Sequence, residues 1–353
     1  MEEITEVSSR HGKTVLKYLL RTLGVFFLTI ALILAFLYSA LLIICRGPSE
    51  SARNLFVHSV RETSAVGFLA NLVLSEAEIE AIVARPEAQV QETDTSLISM
   101  AAAPEGSEPA ADPWGYTDDD GDGIIIVPVA GESYVGKMMI VLDPSRVVLG
   151  CAPEKLGISG CTVEEFALRY DAVAAINGGG FMDLNGGGNG SIPDTVLVSG
   201  GQIYNGGSGV GYGFVGIDSS YILHVGFTST DQIEQWDIQE GAGYGPVLVA
   251  NGQPQDTSGA LASGLNPRTA IGQRSDGAIL MLVIDGRQPS SIGATYTDEV
   301  DLMLKFGAVN ACNLDGGSSS LMWYNGEYIN NCASVIGIRD IPSSFVVLKE
   351  GRK

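Results

Sequence analysis

Apolar residues recur along this chain in three rhythms. The first is an unbroken run: no charged side chain interrupts the stretch from Thr22 to Cys45. Such a run is long enough to cross the roughly 30 Å hydrocarbon layer of a bilayer. The second is helical. Leu69, Leu72 and Val73 give Arg53 to Val83 an apolar side, and Ser75-Glu76-Ala77-Glu78 is a capping box for its second half. The third begins near Trp114, where short β-rich segments alternate with glycine: Ile124 to Val129, Lys137 to Leu142, Val196 to Val198, Tyr221 to Phe227, Val247 to Val249, Ala278 to Ile284 and Ser344 to Leu348. Two helices interrupt them, Thr162 to Tyr170 and Thr297 to Phe306. Strands outnumber helices without regular βαβ alternation. The predicted fold class is therefore α+β, with mixed β-sheets and a few helices, preceded by a single N-terminal transmembrane helix.

Composition and charge divide the chain further. Between Arg85 and Pro113 it turns to Pro, Ala, Glu, Ser and Thr with few large apolar residues, as a disordered linker does. The predicted order is a cytoplasmic tail (1–21), a transmembrane anchor (22–45), a helical stalk (46–84), an acidic Pro/Ala/Glu/Ser-rich linker (85–122) and a globular domain (123–350). Arg10, Lys13, Lys17 and Arg21 precede the apolar run, so the N-terminus is expected in the cytoplasm and the main domain outside the cell. A cleaved signal peptide is the alternative, but its apolar core would be only about 7–15 residues long. The net charge of −21 argues against nucleic acid as a partner. The expected partners are the lipid bilayer, through the N-terminal helix, and the domain's own substrate.

Histidine is nearly absent: His11 and His58 precede the domain, and His224 sits inside an apolar strand. A Ser-His-Asp triad or a His-ligated zinc has almost no material to work with, and neither metal nor cofactor is expected. Cys151 with Cys161 and Cys312 with Cys332 form two local pairs, which suits disulfides outside the cell; buried free thiols are the alternative.

Three glycine-rich or acidic stretches imitate known loops. Gly131 to Lys137 matches the first seven positions of a phosphate-binding loop, but Met138 replaces the hydroxyl and a strand follows, so a hairpin turn is expected. Asp118 to Gly123 imitates the start of a calcium loop without the distant bidentate Glu, and reads as a solvated acidic turn, with a weak calcium site as the alternative. Gly207 to Gly213 lacks the strand and helix of a dinucleotide loop.

Chemistry is better sought where an apolar strand ends in an acid or amide followed by glycine. This happens at Asn177-Gly178-Gly179-Gly180-Phe181, at Asp285-Gly286-Arg287 and at Asn313-Leu314-Asp315-Gly316-Gly317-Ser318-Ser319-Ser320. The segment Asn266-Pro267-Arg268-Thr269 adds a planar guanidinium. Two carboxylates with one or two arginines suit hydrolysis at an anomeric carbon with a phosphate leaving group. The acid would activate water or stabilise an oxocarbenium-like transition state, and arginine would take the growing phosphate charge. A binding module for glycosyl-phosphate polymers, without turnover, is the alternative. A metal-dependent phosphodiesterase using Asp118 to Asp122 is a third reading.

These four segments, in their order along the chain (Asn177, Asn266, Asp285, Asn313), resemble the phosphodiester glycosidase family over about residues 123 to 350. The resemblance implies an α+β hydrolase that cleaves a sugar-1-phosphodiester at the glycosidic C1–O bond, giving free sugar and phosphomonoester. Bacterial relatives are associated with exopolysaccharide, so cell-surface glycans are the implied substrate. By position, Asp315 would be nucleophile or base, Asp285 the second acid or an orienting group, Arg268 a phosphate clamp and Asn177 a polar stabiliser; the two Asp roles are interchangeable. Gly178, Phe181, Thr269, Arg287, Asn313, Gly316, Gly317 and Ser318 would line or shape the substrate site. Ser318 stands where the family usually has a third glycine, and Asp298 or Glu299 would supply an acid that the family often has early in the second helix.

Overall fold

The structure, a computed structural model, describes residues 2–49, 52–53, 56–57, 60, 68–83, 92–99, 114–182, 188–204, 212–257, 264–334 and 337–351. Helix α1 (Glu2–Arg46) contains the span Lys17–Arg46, which is long and apolar enough to cross a membrane. Within it Thr22, Thr29 and Ser39 donate their hydroxyls to the carbonyls of Tyr18, Val25 and Ala35 at 3.0, 2.9 and 2.7 Å. No hydroxyl of these three needs water as a partner, as a hydrocarbon environment demands. Helices α2 (Phe68–Asn71) and α3 (Glu76–Val83) follow, separated by a turn, with Ser75 and Glu78 forming the expected capping box. Cys45, Val57, Val60, Ala70, Leu74 and Ile79 make a small core, and Arg46 donates to Val73 O at 2.8 Å and to the Glu78 carboxylate.

The domain proceeds through β1 (Ile124–Ala130), β2 (Val135–Val141), β3 (Val147–Cys151), α4 (Val163–Arg169), β4 (Ala172–Asn177), β5 (Leu197–Ser199), β6 (Gln202–Tyr204), β7 (Tyr212–Asp218) and β8 (Leu223–Thr228). It continues with α5 (Thr230–Gln235), β9 (Ile238–Gly243), β10 (Val247–Ala250), β11 (Gln253–Pro254), β12 (Arg268–Arg274), β13 (Ile279–Ile284), α6 (Tyr296–Lys305), β14 (Ala308–Asn313), β15 (Met322–Tyr324), β16 (Glu327–Tyr328) and β17 (Ser343–Leu348). Three sheets result, ordered β1-β2-β13-β12-β14-β10-β11, β16-β15-β4-β17-β3 and β6-β5-β9-β7-β8. Pairing among the described residues is antiparallel throughout rather than mixed. Hairpins and long returns join these strands, and among the described residues no βαβ crossover brings parallel neighbours together.

Alternation along the strands sets the layers. Met139, Met281, Val283 and Ile271 of the first sheet meet Leu149, Ile176 and Phe345 of the second and Leu197, Val215 and Leu223 of the third in a shared core. The first sheet's other face, through Met138, Ile140, Leu280 and Ala270, lies under Tyr296, Val300 and Met303 of α6. Helix α4 covers the second sheet through Val163 and Phe166, and α5 covers the third through Ile233. Capping boxes start α4 at Thr162 and α6 at Thr295.

Gly131 to Lys137 is the expected hairpin turn, closed by Gly131 N donating to Tyr134 O at 2.9 Å. Residues 207–211 of the third imitating loop lie outside the described residues. All five cysteines are unpaired. Cys151 and Cys312 belong to the central core while Cys161 and Cys332 pack with the layer beneath α4, so each sequence-local pair is split between two faces. Two pieces of the predicted linker lie on the domain. Asp94 N donates to Asn251 Oδ1 at 2.8 Å and Ser99 N to Ser275 O at 2.7 Å; Trp114 covers the Arg274 guanidinium and Tyr116 stacks on Phe306.

Candidate active site

Antiparallel register brings the predicted segments together. Arg268 opens β12 opposite Ile284, the last residue of β13, and Ala270 faces Asn313, the last residue of β14. The start of β12 and the ends of β13 and β14 therefore share one pole of the first sheet. The end of β4 meets them there: Thr269 Oγ1 donates to Asn177 Oδ1 at 2.8 Å, and Asn177 Nδ2 donates to Asp315 O at 2.6 Å. Leu321 N also donates to Asn177 Oδ1, at 3.2 Å. Asn177, fully buried, thus ties three chain segments with its amide.

Asp315 stands at the start of a tight turn. Its N–H reaches Gly178 O at 3.2 Å, and Gly317 N reaches Pro267 O at 2.9 Å. Gly317 has φ +63°, a left-handed conformation that favours glycine. The turn folds Gly316 N back onto Asp315 Oδ1 at 3.0 Å, and the Ser319 hydroxyl also donates to the carboxylate. Withdrawal from water nonetheless pushes the Asp315 carboxyl up to about 6. The Ser319 and Gly316 bonds and the Arg339 charge oppose that rise, while the Asp194 charge adds to it. The side chain keeps partial contact with solvent. A carboxyl poised near neutrality at the surface of a glycine-lined turn is suited to proton transfer or attack.

Glycines let the strands close on this turn. A methyl group at Gly178 would lie 2.5 Å from Ser343 Oγ and 2.8 Å from Ser343 O, and one at Gly180 would lie 2.6 Å from the Tyr244 ring and 3.1 Å from Asp194 Oδ2. Phe181 is buried under the Arg339 guanidinium, which lies 4.9 Å from the ring centroid.

The other predicted residues are placed around the same pole. Asp285 is buried. Its Oδ1 accepts from Asn331 N at 3.0 Å and Asn330 Nδ2 at 3.1 Å, and its Oδ2 accepts from Asn331 Nδ2 at 2.7 Å. Asn330 also donates to Ser320 O at 3.1 Å, which links Asp285 to the Asp315 turn. Arg268 does not present its fork beside Asp315. Neighbouring strand residues point to opposite faces, and with Thr269 turned toward Asn177, Arg268 lies on the α6 side. There it stacks 3.9 Å from the Tyr296 ring centroid and donates to Ala294 O at 3.0 Å and Gly264 O at 2.7 Å. Arg287 is exposed, has φ +57° and donates to Asn266 Oδ1 at 3.0 Å, with its guanidinium against Gly317. Asn313 is buried and donates to Gly245 O at 2.8 Å. Ser318 Oγ is 3.4 Å from Arg339 Nη1. Asp298 is consumed by the capping box of α6, so Glu299 is the acid of that helix facing the interior.

Ser319 lies inside the predicted segment Asn313 to Ser320, whereas Arg339, Asp194, Asn330 and Asn331 sit on loops with neither periodicity nor a strand-end signature and carry no sequence signal. The acidic group Asp118, Asp120 and Asp122 is the one cluster among the described residues with metal-like spacing. It precedes Ile124, which pairs with Val141, itself opposite Ile279 at the far end of β13 from Asp285. Asp118 accepts from Gly121 N and Gly123 N, and Asp122 from Tyr324 OH at 2.8 Å. The cluster therefore lies at the pole of the first sheet opposite Asp315.

Comparison with known proteins fits this geometry. The profile of a family described as phosphodiester glycosidase matches residues 170–348. The SPbeta prophage-derived uncharacterized protein YomE of Bacillus subtilis (strain 168) is 33% identical over 206 residues, covering 55% of this chain and 30% of that protein. N-acetylglucosamine-1-phosphodiester alpha-N-acetylglucosaminidase of Bos taurus is 28% identical over 194 residues, covering 50% of this chain and 35% of the relative. The chain thus spans about a third of the length of these two relatives. Among solved structures, the zebrafish N-acetylglucosamine-1-phosphodiester alpha-N-acetylglucosaminidase catalytic domain, auto-inhibited by pro-peptide, superposes with a TM-score of 0.53 at 21% identity. That match covers 64% of this chain and 82% of the zebrafish one, and it shows a common fold.

Proposed function

The chain belongs to the phosphodiester glycosidase family, and from that premise we propose that it is a membrane-anchored hydrolase acting outside the cytoplasm on sugar-1-phosphodiesters. It cleaves the C1–O bond and releases free sugar and a phosphomonoester, with glycosyl-phosphate polymers or polysaccharides of the cell surface as substrates. The observation that carries this reading is Asp315, a carboxyl held near neutrality where the ends of β4 and β14 meet the start of β12. The lysines and arginines before the apolar span support a cytoplasmic N-terminus and an outward domain.

Asp315 is the reacting carboxylate. As a base it takes a proton from water while the water oxygen bonds to C1 and the C1–O electron pair leaves with the phosphate. Asn177 positions it through the Asp315 carbonyl. Asp194, over Gly180, is the second acid of the site. Asp285 acts at one remove, fixing Asn330 and Asn331 behind the turn. Arg268 braces the start of β12 from the α6 side.

Hydrolysis of a sugar-1-phosphodiester in heavy-oxygen water tests the chemistry. The label enters the sugar if C1–O breaks; label in the phosphate overturns the glycosidase reading. Tight binding of such diesters with no turnover selects the non-catalytic binding module instead.

A further inference from the structure

Placement of Arg268 on the α6 face leaves the phosphate's recognition to be found elsewhere. Arg339 lies at the Asp315 turn itself. Its Nη1 is 3.4 Å from Ser318 Oγ and its Nη2 donates to Gly188 O at 3.2 Å, contacts that hold the guanidinium against the turn. The guanidinium plane rests over the buried Phe181 ring. That stacking fixes the direction of the fork. The residue is half-buried, so its charge is less screened than one on an open surface. It is also close enough to act on the charge of Asp315. A cation on an aromatic platform, beside a carboxyl and a glycine turn, is built to receive an oxyanion next to a reacting centre.

We infer that Arg339, oriented by Phe181, binds the phosphoryl group of the substrate and of the departing phosphomonoester. The substrate class rests on the glycosidase reading; the anion site does not. Cleavage of C1–O moves its electron pair onto a phosphate oxygen and turns a monoanionic diester into a monoester of higher charge. Water supplies the hydroxyl on C1, and its other proton leaves through Asp315 to solvent. Arg339 therefore meets more negative charge in the transition state than in the ground state, which is the condition for raising kcat rather than only tightening binding.

Two measurements on the purified full chain test the assignment. The first is affinity for inorganic phosphate, read by calorimetry on wild type, Arg339→Ala and Arg339→Lys. Arg339→Ala weakens it roughly tenfold or more and Arg339→Lys partly restores it. The second compares kcat/KM for the methyl diester of N-acetylglucosamine-1-phosphate with that for the neutral p-nitrophenyl N-acetylglucosaminide. Arg339→Ala lowers the first by roughly 10- to 100-fold, and at least tenfold more than the second, with the larger part in kcat. A folding defect would depress both substrates alike, and equal losses overturn the assignment. Unchanged phosphate affinity in Arg339→Ala overturns it as well. Arg339-dependent phosphate binding in a protein that hydrolyses no diester keeps the anion site and sinks the glycosidase.

Discussion

Asp315 couples the chemistry of the site to the stability of the fold. Its carboxyl rises from 3.8 to about 6 on folding, chiefly by loss of water, so the folded state favours the protonated form. The sign follows directly. A carboxyl whose folded value lies above its unfolded one adds stability that is complete below about pH 4, and loses it as pH rises through about 6. The interval corresponds to at most about 3 kcal/mol, a ceiling because the side chain still touches solvent. Asp315→Asn, which keeps the shape and removes the charge, is therefore expected to be more stable than wild type above pH 6, by roughly 1–3 kcal/mol, with the gain shrinking toward pH 4. Urea unfolding at pH 4, 5.5 and 7.5 measures this. The same variant loses turnover by roughly 1,000-fold, and wild-type kcat/KM on a diester climbs to about pH 6 and then levels, because the base must be ionised. A variant destabilised equally at every pH would reduce Asp315 to a turn-former.

Strand ends, not single side chains, decide whether that carboxyl reaches the surface in the right place. The end of β4 runs against β17 with no room for a Cβ at Gly178, because the nearest obstacles include the Ser343 backbone and not only its hydroxyl. Gly178→Ala is expected to cost roughly 1–3 kcal/mol through a shift of β4 against β17, and to lower kcat beyond what the loss of folded protein explains. Thermal unfolding alongside active-site-normalised kcat separates the two, and wild-type values for both would show that the strands close without this glycine. The glycine-bounded strand ends were legible in the sequence because an apolar run ending in Asn or Asp and then glycine has few structural uses. Which neighbour faces the site was not. Thr269 and Arg268 are adjacent, and the pleat sends them to opposite sides of β12, a choice fixed by sheet partners far away in sequence. Strands such as β7 and β9 went unseen because Gly213, Gly216, Gly241 and Gly243 interrupt their apolar alternation. These glycines are spent on close approach to Tyr244 O, Phe214 and Thr195. Arg339 and Asp194 sit on irregular loops, where no period in the sequence points inward.

The chain also enters its domain from one end. Glu92 and Asp94 bond to Asn251, Ser99 bonds to Ser275, and Trp114 packs on Gly307 and Arg274. Asn251 and Ser275 follow β10 and β12, and Gly307 precedes β14, so these contacts lie at the pole of the first sheet opposite Asp315. Helix α1 and its small core of Cys45, Val57 and Ile79 precede those contacts in the chain. On the proposed anchoring, a domain fastened at that pole is expected to hold the Asp315 turn away from the lipid. The arrangement is measurable in reconstituted vesicles by energy transfer to a headgroup acceptor. A donor attached at Gln253→Cys, beside Asn251, is expected to transfer more strongly than one at Ile192→Cys, two residues from Asp194. The native cysteines are buried or only partly exposed, so labelling favours the introduced thiol. Equal transfer from the two positions would mean that the domain lies on its side or tumbles freely about its tether. The contacts at Asn251 and Ser275 would then be too weak to set its orientation.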